Sequence, residues 1–265
     1  KCDYSVDVTT TGLSREKSGS TPPNRIDLFA EAAGLTVTDD PVPIYIIRDE
    51  ETKAIKKEFS KLFKPSNTVI AIQTRSNDTR RTWPEENLKD LIQLILERTN
   101  YKIAILDWKH TAPQWTEYCN SNDRLIPFMD RDIVETAAFV ELCDLVVCPD
   151  SSILHLAGAL NKKTVSIFGP IPSQSRINHY QNCTAVQLSS CKYRNCWYSP
   201  KCIHNSPVNS KLACLKNITG EMVYNAIQVK IKESERLSVI DKPSKQETIL
   251  VKRSSKGIGD ILMAQ

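Results

Sequence analysis

The sequence predicts an α/β protein: a Rossmann-like parallel sheet with helices on both faces. Three observations predict it. From residue 67 onward, short apolar runs alternate with stretches of helical period. The runs are continuous rather than alternating in polarity, as strands buried on both faces require. Strands that follow one another with a helix between them lie parallel, which fixes the layer order as helix, sheet, helix.

The elements follow in order. Val69-Ile70-Ala71-Ile72 is a short apolar run and reads as a buried strand. Pro84 suits the first position of a helix, and Glu85 and Glu86 suit its positive end. Leu88, Leu91, Ile92 and Ile95 then fall on one helical face. Ile103-Ala104-Ile105-Leu106 is the next strand, and Ile133, Val134, Ala137, Ala138 and Val140 mark a second helix. Leu145-Val146-Val147 is a third strand. Asp150-Ser151 opens a helix whose apolar face is Ile153, Leu156, Ala157 and Leu160. Thr164 to Phe168 is a fourth strand, closed by Gly169-Pro170.

The flanks are less regular. Tyr4 to Val8 alternates like a strand, Ile26 to Ala33 reads as a short helix closed by Gly34, and Glu50 to Leu62 as a charged helix. After Pro172 the periodicity weakens into a cysteine-rich loop over 183–214. A last helix runs from Thr219 to Lys232. Residues 233–247 are polar and read as a linker, and Thr248-Ile249-Leu250-Val251 starts a new strand.

The composition excludes some classes. Hydrophobic residues are 40% and charged residues 25% of the 265, which is globular. The net charge of +4 is too small to argue for nucleic acid and is compatible with an anionic ligand. No apolar run reaches the roughly 18 residues of a membrane span. The first residues, Lys1-Cys2-Asp3-Tyr4, carry no apolar signal core, so the expected location is cytoplasmic.

In open α/β sheets ligands sit beyond the carboxyl ends of the strands. Four segments meet that condition: Gln73 to Trp83, Asp107 to His110, Pro149 to His155, and Gly169-Pro170. In the third, a strand passes at once into a helix. The backbone N–H groups of Ser151 and Ser152 would face outward at the positive helix end, a natural diphosphate site. His155 lies one turn after Ser151 and would donate to a phosphate, and Asp150 would accept from sugar hydroxyls. The plainer readings are a helix cap for Asp150 and a satisfied core histidine for His155. Arg75, Arg80 and Arg81 crowd the first segment, where a planar fork suits phosphate; a solvated basic loop is the plainer reading. Trp83 reads as a packing anchor.

These residues resemble glycosyltransferase family 9, the heptosyltransferase-like enzymes. Arg81-Thr82-Trp83-Pro84-Glu85-Glu86 is similar to a basic-x-Trp-Pro-x-Glu segment of that family. Asp150 to Ala157 with Ile167-Phe168-Gly169-Pro170 is similar to its Asp-Thr-Gly-x-x-His-x-Ala and Phe-Gly-Pro signature, and Cys191 to Leu215 to a cysteine-bearing tail. The resemblance covers about residues 67–232. It implies the C-terminal half of a GT-B fold, binding a nucleotide diphosphate sugar such as ADP-heptose for inverting transfer to a glycan acceptor, in lipopolysaccharide or other surface-glycan synthesis. It implies no required cofactor, and peripheral membrane association through the acceptor.

By position, Arg81 would contact the donor phosphates, Asp150 would hold the sugar, and Ser151, Ser152, His155 and Gly169 would line the site. Ser152 stands where the family has glycine, and Asp107-Trp108-Lys109-His110 where a donor-binding glutamate is expected. The same resemblance divides the chain into 1–48, the end of a GT-B N-terminal domain; 49–232, the donor domain; 233–247, the linker; and 248–265, the start of a second N-terminal domain. Asp260 matches the family's catalytic base in that second copy. The expectation is therefore a slice of a tandem protein, binding donor with little turnover of its own.

Nine cysteines are present, and Cys191, Cys196, Cys202 and Cys214 form a Cys-x4-Cys-x5-Cys-x11-Cys group. A structural zinc site, free thiols and local bridges are all open readings. A rival to the enzyme is a non-catalytic Rossmann-like domain carrying a metal-binding cysteine-rich interaction module.

Overall fold

A computed structural model describes residues 22–37, 39, 41–188, 196 and 212–236. The stretch 1–21, most of the cysteine-rich loop, and everything from 237 onward, including the expected second copy and Asp260, lie outside the described residues.

Helix α1 (Arg25–Ala32) begins at Asn24, whose side chain accepts from Ile26 N–H, and the chain turns out through Gly34 at φ +70°. Helix α2 (Asp49–Glu58) follows. The sheet then starts. Its strands are β1 (Val69–Gln73), β2 (Lys102–Asp107), β3 (Leu125–Met129), β4 (Leu145–Pro149), β5 (Thr164–Phe168) and β6 (Cys183–Gln187). Between them run α3 (Glu85–Arg98), α4 (Gln114–Cys119), α5 (Ile133–Leu142), α6 (Ser152–Ala159) and the short α7 (Gln174–Ile177). After β6 come α8 (Ala213–Lys216) and α9 (Gly220–Arg236).

Every strand pair is parallel, and the order is β3-β2-β1-β4-β5-β6. The order reverses between β1 and β4, so the crevice at their carboxyl ends is the topological switch point where such sheets bind ligands. One sheet face is covered by α3 and α9, through Leu91, Ile92, Ile95, Val223 and Ile227. The other is covered by α2, α5 and α6, through Ile55, Ala137, Phe139, Leu154 and Ala157. Val69 to Ile72 and Leu145 to Cys148 are almost wholly buried, which is why their sequence has no polar alternation.

The structure adds two strands that the sequence reading lacks. β3 (Leu-Ile-Pro-Phe-Met) carries a proline and sits at one sheet edge, where a missing N–H is tolerated. β6 is the opposite edge, only partly buried, and falls within the first residues assigned to the cysteine-rich loop. Two helix starts move by one residue. Pro84 precedes α3 rather than opening it, and Asp150 lies outside α6, whose N-cap is Ser151. Thr219 caps α9 as expected, its Oγ1 accepting from Met222 N–H at 3.3 Å. No helix among the described residues is long and apolar enough to cross a membrane.

Candidate functional site

Three loops meet at the carboxyl ends of β1, β4 and β5. The β1 loop is folded on itself. Asp78 Oδ1 accepts from Arg80 N–H at 2.8 Å, which opens a 3-10 turn over Thr79–Arg81. Thr82 Oγ1 donates to the Asp78 carbonyl at 3.0 Å, and Trp83, 3% exposed, donates its indole N–H to Ile218 C=O at 3.0 Å. Trp83 is thus the packing anchor expected, clamping the loop to the start of α9. Ser76 Oγ donates to the Asp150 carbonyl at 3.1 Å and ties the β1 loop to the end of β4.

That fastening brings Arg81 to Asp150. The Arg81 Nη1 lies 3.7 Å from Asp150 Oδ2, and the Arg176 Nε lies 3.8 Å from Oδ1. Asp150 is 3% exposed, and neither carboxylate oxygen has a hydrogen-bond partner among the described residues. The two guanidiniums compensate its charge across a gap too wide for hydrogen bonds. The helix-cap reading of Asp150 is excluded by its place one residue before the N-cap. An unsatisfied buried carboxylate is costly and rare, and packing alone does not explain it.

Arg176 is the residue that sequence reasoning missed. It is 2% exposed, an unusual burial for arginine. Its Nη1 donates to Ser175 Oγ at 3.1 Å, and that hydroxyl in turn donates to Pro172 C=O at 2.7 Å. The signal was available: a lone arginine, the first charged residue after the end of β5.

Ser151 and Ser152 sit at the mouth of α6. The Ser151 hydroxyl donates to Gln73 Oε1 rather than capping its own helix. His155 faces inward on α6, with Nδ1 2.8 Å from the Tyr180 hydroxyl. Burial holds its pKa down at about 3, and the nearby Asp150 opposes that shift only in part. The satisfied, neutral core histidine is therefore the reading the geometry favours. Gly169 also has a packing reason: a Cβ there would stand 2.6 Å from Leu215 Cγ.

The other arginines of the β1 loop are engaged elsewhere. Arg80 pairs with Asp78 at 3.3 Å, and Arg75 with Asp107 at 3.0 Å. Asp107, which stands in place of the expected glutamate, also accepts from the Thr74 hydroxyl and from Trp108 N–H. Trp108 is 45% exposed beside it. Of the cysteine group, Cys196 and Cys214 are described and half-buried, and Cys191 and Cys202 lie outside the described residues. Among the described residues no three His, Cys, Asp or Glu side chains group as metal ligands.

The model of glycosyltransferase family 9 (heptosyltransferase) matches residues 23–199. Lipopolysaccharide heptosyltransferase 1 of Campylobacter coli is 28% identical over 131 residues, spanning 47% of this chain and 38% of that protein. Among solved structures, a glycosyl transferase family 9 protein from Veillonella parvula superposes with a TM-score of 0.62 at 18% identity, over 87% of this chain and 63% of its own. ADP-heptose LPS heptosyltransferase II of E. coli superposes with a TM-score of 0.59 at 15% identity, over 82% of this chain and 64% of its own. The chain thus spans less than two thirds of each relative, and the match covers the sheet and the three loops. It belongs to glycosyltransferase family 9.

Proposed function

We propose that the described residues form the donor side of a sugar-transfer site, holding a nucleotide diphosphate sugar while its sugar passes, with inversion, to an acceptor hydroxyl. The observation that carries this reading is the Asp150 carboxylate: buried, without hydrogen bonds among the described residues, set between two arginines at the switch point of the sheet. Asp150 would accept from hydroxyls of the donor sugar. Arg81 and the backbone N–H groups at the start of α6, near Ser151 and Ser152, would meet the negative charge that builds on the departing diphosphate. Gly169 lines the same edge. His155 supports the site from below rather than touching phosphate.

The acceptor proton needs a base. By resemblance such a base belongs to the N-terminal domain, and Asp260 matches it only for a second copy, so the described residues are given binding rather than turnover. ADP-heptose is the first donor to try, because the E. coli relative is named for it, with UDP-sugars second. The relatives' names support lipopolysaccharide or a similar surface glycan as acceptor. Cytoplasmic location, with membrane contact only through the acceptor, belongs to the same proposal.

Calorimetric titration of the chain with ADP-heptose, ADP and UDP-sugars tests this. A saturable heat that Asp150→Ala weakens at least about tenfold is expected, the loss of one hydrogen bond to a charged group. No heat with any nucleotide would refute the reading and leave the cysteine-rich interaction module as its successor.

A further inference from the structure

The two arginines at Asp150 differ in how they are held. Arg176 is 2% exposed along its side chain and Arg81 19%. Arg176 sits in α7, which is fastened from several directions. Asn24 donates to the Gln174 carbonyl at 3.1 Å, and Ser173 N–H donates to Gln187 Oε1 at 3.1 Å. The Arg176 Nη1 is engaged by Ser175. Arg81 belongs to a 3-10 turn of three residues near the surface, and its Nη2 donates to Asn77 within the same loop. A guanidinium with its outer end near solvent can rotate; one built into the packed floor cannot without disturbing its neighbours.

Both Asp150 oxygens are shut off from solvent. A sugar hydroxyl reaches them only if a neighbour moves. We propose that Arg176 is the standing counter-charge of Asp150 and Arg81 the exchangeable one: an incoming diphosphate draws Arg81 off the carboxylate and so uncovers it for the sugar. This rests on the donor-binding function proposed above. A diphosphate offers Arg81 short, paired, charge-assisted hydrogen bonds, which Asp150 at 3.7 Å does not. When Arg81 leaves, Asp150 keeps a buried positive neighbour and is not stranded. Arg176 is thus a positioning residue. It sets the sugar contact without touching the diphosphate, and that contact follows the diphosphate's arrival.

The test combines ligand titration with a stability cycle on the full chain. ADP and ADP-heptose are titrated into wild type, Arg81→Gln and Arg176→Gln. Wild type binds ADP-heptose more tightly than ADP. Arg81→Gln weakens ADP by about tenfold or more, and Arg176→Gln leaves ADP within about threefold but abolishes the preference for ADP-heptose. Equal weakening of both ligands by Arg176→Gln overturns the proposal, as does a wild type with no preference.

Thermal unfolding of Asp150→Asn, Arg176→Gln and the double variant needs no ligand. Asp150→Asn leaves two guanidiniums facing each other and lowers Tm by about 5 °C or more; the double variant recovers at least half of that. Additive losses overturn the pairing. Should Asp150→Asn fail to fold, a folded double variant gives the same support, and a double that also fails refutes it. If wild type binds neither ligand, the proposed function falls and takes the Arg81 exchange with it, while the cycle still decides the pairing.

Discussion

Asp107 and Asp150 end neighbouring parts of the same sheet, at the carboxyl ends of β2 and β4. Both are buried carboxylates beside an arginine, and they are built in opposite ways. Asp107 accepts from the Thr74 hydroxyl, from Arg75 at 3.0 Å and from Trp108 N–H at 2.7 Å. Asp150 accepts nothing among the described residues and meets its arginines only at 3.7 and 3.8 Å. The first carboxylate spends its lone pairs on the fold. The second keeps them, at a cost in stability that a packed interior would not tolerate without return. The difference separates a residue that holds two loops together from one whose oxygens the fold leaves unused, which is why we propose it for the donor sugar.

The largest effect should come from breaking the satisfied member. Asp107→Ala leaves the Thr74 hydroxyl, the Arg75 guanidinium and the Trp108 N–H without their acceptor, and we expect a loss of about 3 kcal/mol. Urea unfolding measures it. A loss below about 1 kcal/mol would show that Asp107 is no more structural than Asp150.

Below Asp150, the packing of α6 against Tyr180 is tight. A Cβ at Gly158 would stand 2.7 Å from the Tyr180 ring. Gly158→Ala should therefore cost about 1–3 kcal/mol despite alanine's better helix propensity. It should also push the Tyr180 hydroxyl off His155. Equal or greater stability in the alanine variant would mean that the ring moves away freely and that the floor of the site is soft.

His155 gives a pH signature to the same floor. Its folded pKa is depressed by burial to about 3, so the unfolded chain binds the proton first. The stability from keeping His155 neutral is therefore fully present above its unfolded value. It is lost as pH falls from about 6.5 towards 3, at up to about 1.4 kcal/mol per unit. His155→Gln should flatten the wild-type decline between pH 6.5 and 4 in chemical unfolding. An unchanged slope would place a charged imidazole in the folded site and reopen a direct role at phosphate.

The smallest effect concerns the loop that delivers Arg81. Trp83→Phe keeps the packing but loses the bond to the Ile218 carbonyl, for about 1 kcal/mol by thermal unfolding. A change within error would show that the β1 loop reaches Asp150 without that clamp.

The sequence made the centre of the fold legible, and the reasons are physical. β1, β2, β4 and β5 are buried on both faces or nearly so, and continuous apolar runs such as Val69 to Ile72 have few other uses. The edges were not legible. Pro127 interrupts β3, and Thr184 and Gln187 dilute β6, since an edge strand needs neither a full ladder nor full burial. In the site, the Arg81 and Asp150 motifs were visible as local patterns. Their contact was not, because it depends on how the β1 loop closes through Thr82 and Ser76. Arg176 lies 26 residues beyond Asp150 and becomes part of the site only when α7 packs behind it. His155 carried two readings in the sequence, phosphate ligand and core histidine, and its bond to Tyr180, which the sequence does not show, favours the second.

The contrast between the two carboxylates rests most directly on one titration. ADP-heptose is added by calorimetry to wild type, Asp107→Asn and Asp150→Asn, each at a temperature where it is folded. The account predicts that wild type and Asp107→Asn bind alike and that Asp150→Asn loses about tenfold or more. Binding by Asp150→Asn at wild-type strength, or a loss confined to Asp107→Asn, would contradict it.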